Sequence, residues 1–287
     1  MPIPVIAVIN FSIVSDRDAQ AAIRAVNRQV TEDFMPIWGS GYRCKLHASR
    51  FAPDEPDVIQ EDPVQAEAVI YLVDEPSIAG ALGYHDLNNA EVPVGFVFTD
   101  LGDWTVTFSH EVLELIVDPT VNILVPGPDP RDPNNPNAWL LHTYEVCDAV
   151  ESTEYVIDGI TVSNFVTPMY FAEGDAPGTR NDFLGVGVDS FGVTPGSHLG
   201  TVDPSDFSWV EILGRQAPSR NIIASRMKQF VRDGKRPRAG EKQEAFLAEY
   251  KSAPCKEGTK GLPGLMAFTR SGRKKQYLEQ RRTTLRR

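Results

Sequence analysis

In the stretch SHEVLELIVDP, residues 109–119, a histidine and two glutamates interrupt an apolar run at positions 110, 111 and 114. Read as a helix, the segment puts His110 and Glu114 one turn apart on the same face, because side chains four apart lie above one another. That is a metal-ligand spacing. Phe108, Val112, Leu115 and Ile116 keep helical spacing and predict an apolar stripe against a core. His110, Glu111, Glu114 and Asp118 then form a polar stripe, facing either bulk water or a catalytic cleft. The five residues from His110 to Glu114 spell H-E-x-x-E, a variant of the H-E-x-x-H pattern in which the first and fifth residues bind zinc and the glutamate between them is a general base. Zinc accepts carboxylate oxygen in place of imidazole nitrogen, and a catalytic site keeps one position open for water. On this reading His110 and Glu114 are ligands, and Glu111 takes a proton from the water. A carboxylate in the fifth position also makes the site more anionic and can favour another divalent ion.

A third ligand must come from downstream. His142-Thr-Tyr-Glu145-Val-Cys147-Asp148, with Glu151 just beyond, supplies candidates. Side chains alternate along a strand, so if Tyr144 and Val146 face the core, Glu145 points to the cleft. Glu145 is therefore the first choice, Asp148 the second and His142 the third. Tyr144 or Tyr170 is the candidate for stabilising an oxyanion. His85, in GYHD, reads as a solvated loop residue, and Met169 as packing.

The elements that must position these groups are legible in outline. PVIAVINFSIVS reads as a buried strand, and Ser15 or Asp16 can cap the helix that follows, in which Ile23, Val26, Val30 and Phe34 keep helical spacing until Pro36 helps to end it. YRCKLHASRF, AEAVIYLVDE and VPVGFVFTD are three further strands. After the turn-like LGDW comes the His110 helix, closed by Pro119. VPGPDPRDPNNPN reads as loop, WLLHTYEVCDAV and YVIDGITVSNFV as strands, with Asp158-Gly159 marking a hairpin. Residues 172–205 read as irregular surface wrapping, and 219–232 as a basic amphipathic helix.

This order of elements, with the stretches ALGYHD, SHEVLELIVDP, EVCDAVES and GITVSNFVTPMYF, resembles the zincin metallopeptidases, and in particular uncharacterised bacterial and phage proteins with zincin-like folds. The resemblance covers roughly residues 1–172. It implies an α/β (α+β) fold in which a mixed sheet packs on two helices, one of them the active-site helix. It also implies that VPVGFVFTD is an edge strand binding extended substrate by strand addition.

Charge divides the chain in two. Residues 1–214 hold 8 Lys+Arg against 33 Asp+Glu, and residues 215–287 hold the remaining 20 against 6, so a body of −25 carries a tail of +14 within the total of −11. The expected organisation is a zincin-like domain over 1–213 and a basic C-terminal extension over 214–287. The opening MPIPVIAVINFSIVSD has no basic n-region, no apolar run approaches a membrane span, and the three cysteines show no CxxC spacing, which predicts a cytoplasmic setting or, for a phage protein, a virion. The function expected from the motif and the resemblance is a zinc-dependent, or other divalent-metal-dependent, peptidase acting on a peptide or protein. The competing expectation is a catalytically inactive zincin-like protein that docks through its basic tail on another copy or an assembly partner. Nucleic acid is the weaker partner: the tail's five aromatics are not interleaved with its basic residues as stacking platforms, and the body would repel phosphate.

Overall fold

A computed structural model describes residues 3–49, 66–74, 81–87, 92–132, 134–135, 137–172 and 179–214. The fold is mixed α/β. Strand β1 (Val5–Asn10) leads into α1 (Asp16–Arg28), whose N-cap Ser15 accepts a hydrogen bond from the Asp18 N–H. The helix continues through a π turn at Gln29–Phe34 into α2 (Met35–Trp38) and stops at Gly39, which is left-handed at φ 71°. Pro36 therefore lies inside the last turn rather than ending the helix. It has no N–H to give the carbonyl four residues back, and the wider turn just before it absorbs that loss.

Next come β2 (Arg43–Ser49), β3 (Ala68–Val73), β4 (Gly83–Leu87) and β5 (Pro93–Phe98), then the long helix α3 (Trp104–Val117). The five strands form one sheet in the order β2-β1-β3-β5-β4, in which only the β4–β5 pair is antiparallel. Both faces are covered, which is why β3 and β5 read as unbroken apolar runs. Ile6, Val8, Ile70, Leu72 and Val97 join the core around α1 and α3, while Tyr71, Tyr84 and Phe96 stack on the opposite face. The strand before the helix is thus not the edge. β5 is interior, paired on both sides and buried along its length, and the edge is β4, an antiparallel strand in the stretch where His85 was expected on a loop.

Beyond α3, β6 (Leu124–Pro128), β7 (Trp139–Thr143), β10 (His198–Val202) and β11 (Trp209–Leu213) form an antiparallel sheet in the order β11-β10-β7-β6. Two expectations change here. VPGP is strand, tolerated with its prolines because β6 is an edge whose outer N–H positions need no partner. The segment 172–205, expected to be irregular, contains the strand β10, buried throughout, with which β11 beyond it pairs. The hairpin β8 (Glu154–Ile157) and β9 (Ile160–Ser163) turns at Asp158 and Gly159, both with positive φ, as Asp-Gly requires. β9 packs on α3, with the Ser163 N–H donating to Ser109 Oγ and Thr105 Oγ1 donating to the Thr161 carbonyl, while β4 and β5 also contact the helix. Every residue from Val106 to Val117 is buried, and the polar stripe faces neither water nor an open cleft. Among the described residues no helix is long and apolar enough to cross a membrane. The basic extension and its expected helix at 219–232 lie outside the described residues.

Candidate metal centre

Three elements bring the polar groups together. Helix α3 begins at the N-cap Asp103, whose side chain accepts from the Thr105 N–H, and presents His110, Glu111 and Glu114 from its middle turns. Strand β4 contributes His85. The chain after β7 leaves the sheet at Tyr144 and enters a short 3-10 turn, Asp148–Val150, which contributes Asp148 with Glu151 following it. The alternation argument for Glu145 fails at this point, because residues 144–148 are not extended strand.

The contacts run as a chain of carboxylates and imidazoles. His85 Nδ1 lies 3.1 Å from Glu111 Oε2 and 3.7 Å from Glu114 Oε2. His110 Nε2 lies 3.1 Å from Glu114 Oε2 and 3.3 Å from Asp148 Oδ1. His198 Nε2 lies 3.0 Å from Asp148 Oδ2, and its Nδ1 lies 3.1 Å from Glu151 Oε1. His85, His110, Glu111 and Glu114 are each 1% exposed and Asp148 2%. Three sets of potential ligands, each with donor atoms within 4.8 Å of one another, occur among the described residues: His110 with Glu114 and Cys147, His85 with Glu111 and Glu114, and His110 with Asp148 and Glu151.

These residues fit a divalent ion. Neither contact of His110 Nε2 has hydrogen-bond geometry, and His110 Nδ1, His85 Nε2 and Glu111 Oε1 are also buried without a hydrogen bond. Separations of 3.1–3.3 Å around His110 Nε2 are close to the roughly 3.3–3.6 Å expected between two donors that share one tetrahedral ion at about 2.0–2.2 Å. Glu114 is held for such a role, since its Oε1 accepts the Cys147 N–H at 3.1 Å and leaves Oε2 beside His110. The Cys147 thiol is pushed well up by burial, so it stays protonated in the metal-free protein.

Of the residues expected from the sequence, His110 meets Glu114 in one donor set and Asp148 in another, with Glu111 alongside His85. Glu145 is buried but belongs to none of the three donor sets, and one of its oxygens accepts from Thr143 Oγ1 at 3.2 Å. His142 Nε2 lies 3.0 Å from the Pro128 carbonyl and its ring packs on Phe191. Tyr144 packs between Trp38 and Phe171, and the Tyr170 hydroxyl donates to the Gly192 carbonyl at 2.7 Å. Met169 is 51% exposed rather than packed. The sequence reading missed His85 as a member of the cluster and missed His198 altogether. Neither GYHDL nor HLGTV alternates apolar with polar residues, and each is only five residues long and lies among glycines or prolines, so period-two patterning could not find them.

Room for Glu111 is made by a glycine on β4. A Cβ at Gly83 would stand 2.6 Å from Thr107 Cγ2, 2.8 Å from the Phe96 carbonyl oxygen and 2.9 Å from Glu111 Oε1. Gly83→Ala should therefore destabilise the fold by about 1–3 kcal/mol, the usual cost of overpacking. Urea unfolding with an unchanged m-value measures it, and a cost under about 0.5 kcal/mol would mean that the edge strand shifts freely.

The charges predict an opposite pH response with and without metal. Burial works against the charge of His110, but the fields of Glu114 and Asp148 outweigh it and hold its pKa well above the ordinary value. His85 is raised in the same way, against burial, by Glu111 and Glu114. Glu111 is raised chiefly by burial, against the opposing pull of His85. In each case the native state keeps a proton that the unfolded chain has lost. The metal-free protein thus has this stability in full below the unfolded pKa, about 6.5 for His and 4.3 for Glu, and loses it as pH climbs through the folded values. A metal needs deprotonated ligands, so its stabilisation grows over the same range. Thermal unfolding should show a larger drop in Tm on chelation near pH 8 than near pH 6, and an equal drop would oppose the assignment.

No protein-family model, curated protein or solved structure matches the chain.

Proposed function

We propose that the protein is a metal-dependent hydrolase of zincin type that holds a divalent ion, zinc by preference, through His110, Glu114 and Asp148, with Glu111 as general base and a peptide as substrate. The observation that carries this reading is a division of labour on one helix. His110 and Glu114 turn toward each other and His110 toward Asp148, while Glu111 turns aside to His85 at 3.1 Å. A bound divalent ion supplies Lewis acidity and lowers the pKa of a coordinated water toward neutrality. Glu111, whose own pKa is raised by burial, suits the acceptance of a proton near neutral pH. His85 fixes the direction of its carboxylate. The element order also supports the reading: strand, helix, two strands, an antiparallel edge strand and an interior strand precede the motif helix. Incubation of metal-loaded protein with a mixed peptide library, with and without chelator, tests it. Cleavage abolished by chelation and restored by zinc is the expected result, and the absence of any bound divalent ion would remove the proposal's basis.

One observation favours a second reading. The donor groups His110, Glu114 and Asp148 are at most 2% exposed, and an enclosed ion suits holding a fold together better than turning over a peptide. In that case the protein is a metal-stabilised binding or assembly protein, and its +14 tail is the element that docks on an acidic partner or another copy.

A further inference from the structure

Cys147 approaches the motif helix with two different groups. Its N–H donates to Glu114 Oε1 at 3.1 Å, and its thiol sulfur lies 3.9 Å from the His110 carbonyl oxygen. One residue, 33 positions beyond Glu114 and just before the Asp148 turn, thus touches both members of the pair that stands one helical turn apart. His110, Glu114 and Cys147 form a donor set whose three atoms lie within 4.8 Å of one another, and all three residues are buried. Both ring nitrogens of His110 are buried without a hydrogen bond.

We infer that Cys147 is a thiolate ligand of the ion held by His110 and Glu114. The inference rests on the reading of that helix pair as metal ligands, and it deepens that reading by adding a sulfur donor. It does not depend on Asp148, which meets His110 in a different donor set, with Glu151. Zinc binds sulfur at about 2.3 Å and nitrogen or oxygen at about 2.0–2.2 Å, so a sulfur and a nitrogen on one tetrahedral ion stand roughly 3.6 Å apart. Donors already within 4.8 Å of one another need about 1.2 Å of closure at most to reach that separation. The Cys147 N–H occupies Glu114 Oε1 and leaves Oε2 at 3.1 Å from His110 Nε2. The same residue therefore orients one ligand through its backbone and supplies another through its side chain. On binding, the thiol loses its proton to solvent and the sulfur gives an electron pair to the ion.

Cys44 shows what a cysteine looks like here when packing alone explains it. It is 1% exposed in the core, its backbone N–H donates to Asn27 Oδ1 and its carbonyl accepts from Asn27 Nδ2, and it belongs to none of the donor sets among the described residues. Cys147 is equally buried but faces a histidine and a glutamate. A thiolate beside imidazole and carboxylate also narrows the choice of ion. Sulfur suits zinc or cobalt(II), whereas magnesium and calcium call for oxygen.

Cobalt(II) loaded into the metal-free full-length protein tests this without a substrate, because a thiolate bound to cobalt gives a near-ultraviolet charge-transfer band and X-ray absorption counts sulfur directly. Wild type should show the band and one sulfur per cobalt. Cys147→Ser should lose both, with affinity for cobalt falling by about 100-fold or more, beyond the roughly 10–100-fold caused by loss of an orienting partner. A variant carrying Cys44→Ala and Cys255→Ala should keep both signals. Wild-type cobalt without sulfur overturns the assignment whether or not the variants fold, and so does a band that persists in Cys147→Ser. If that sulfur-free cobalt is lost in His110→Ala, the helix pair stands and only Cys147 fails. Wild-type protein that takes up no cobalt, or whose cobalt and sulfur signals are unchanged in His110→Ala, overturns the reading of the helix pair together with this one.

Discussion

His110→Ala should leave the purified protein without its divalent ion and lower its thermal stability by more than any other single substitution in the cluster. His110 Nε2 is the atom that faces both Glu114 and Asp148, and it occurs in two of the three donor sets. Its removal takes away a ligand and the nearer imidazole of Glu114, leaving Glu114 with His85 and Asp148 with His198, a loss approaching the roughly 3–5 kcal/mol of breaking a buried pair. Loss of the ion adds to this. A ligand present at about 1,000 times its Kd stabilises by about 4 kcal/mol, which for a domain of this size corresponds to roughly 8–16 °C in Tm. Elemental analysis of protein purified without chelator gives the stoichiometry, and calorimetry gives the stability. Because the variant loses stability for both reasons, chelation of the wild type separates them: it should reproduce the part of the Tm shift due to the ion. If wild type and variant carry the same metal, His110 is not a ligand.

The chemistry of α3 was legible because a helix repeats every 3.6 residues, so His110 and Glu114 could be placed on one face without knowledge of the fold. The environment of that face was not legible. Phe108, Val112, Leu115 and Ile116 describe one apolar side, and nothing in the spacing tells whether the other side meets water or protein. The answer depends on β4 and β9, which close over the helix from different parts of the chain. β4 was missed because Gly83-Tyr84-His85-Asp86-Leu87 mixes polar and apolar residues at an edge, where local preference is weak. The third ligand shows a related failure. Tyr144 to Asp148 has the alternation of a strand, yet the pairing of β7 ends at Thr143 and the chain turns. Glu145 and Asp148 thereby exchange the roles that strict alternation assigns them. His198 is the hardest case, since no periodicity links β10 to the helix and only long-range sheet pairing brings it to Asp148.

Glu111→Gln should retain the metal and lose hydrolysis by about 10²–10⁴-fold, the usual contribution of a positioned general base. The amide matches the carboxylate in size and can still approach His85, so the geometry in which Glu111 Oε2 lies 3.1 Å from His85 Nδ1 is conserved in outline. What is lost is a group able to accept a proton. The same substitution removes a buried carboxylate from a crowded anionic cluster, and relief of repulsion with Glu114, which helps to raise the Glu111 pKa, should leave Tm unchanged or slightly higher. The combination is diagnostic. A base predicts lost activity, full metal occupancy and undiminished stability. A third ligand in the set with His85 and Glu114 predicts that metal is lost together with activity. Under the second reading, in which the enclosed ion only holds the fold, neither wild type nor variant cleaves the library while both carry metal, and the helix motif has been kept for its ligands and not for its base.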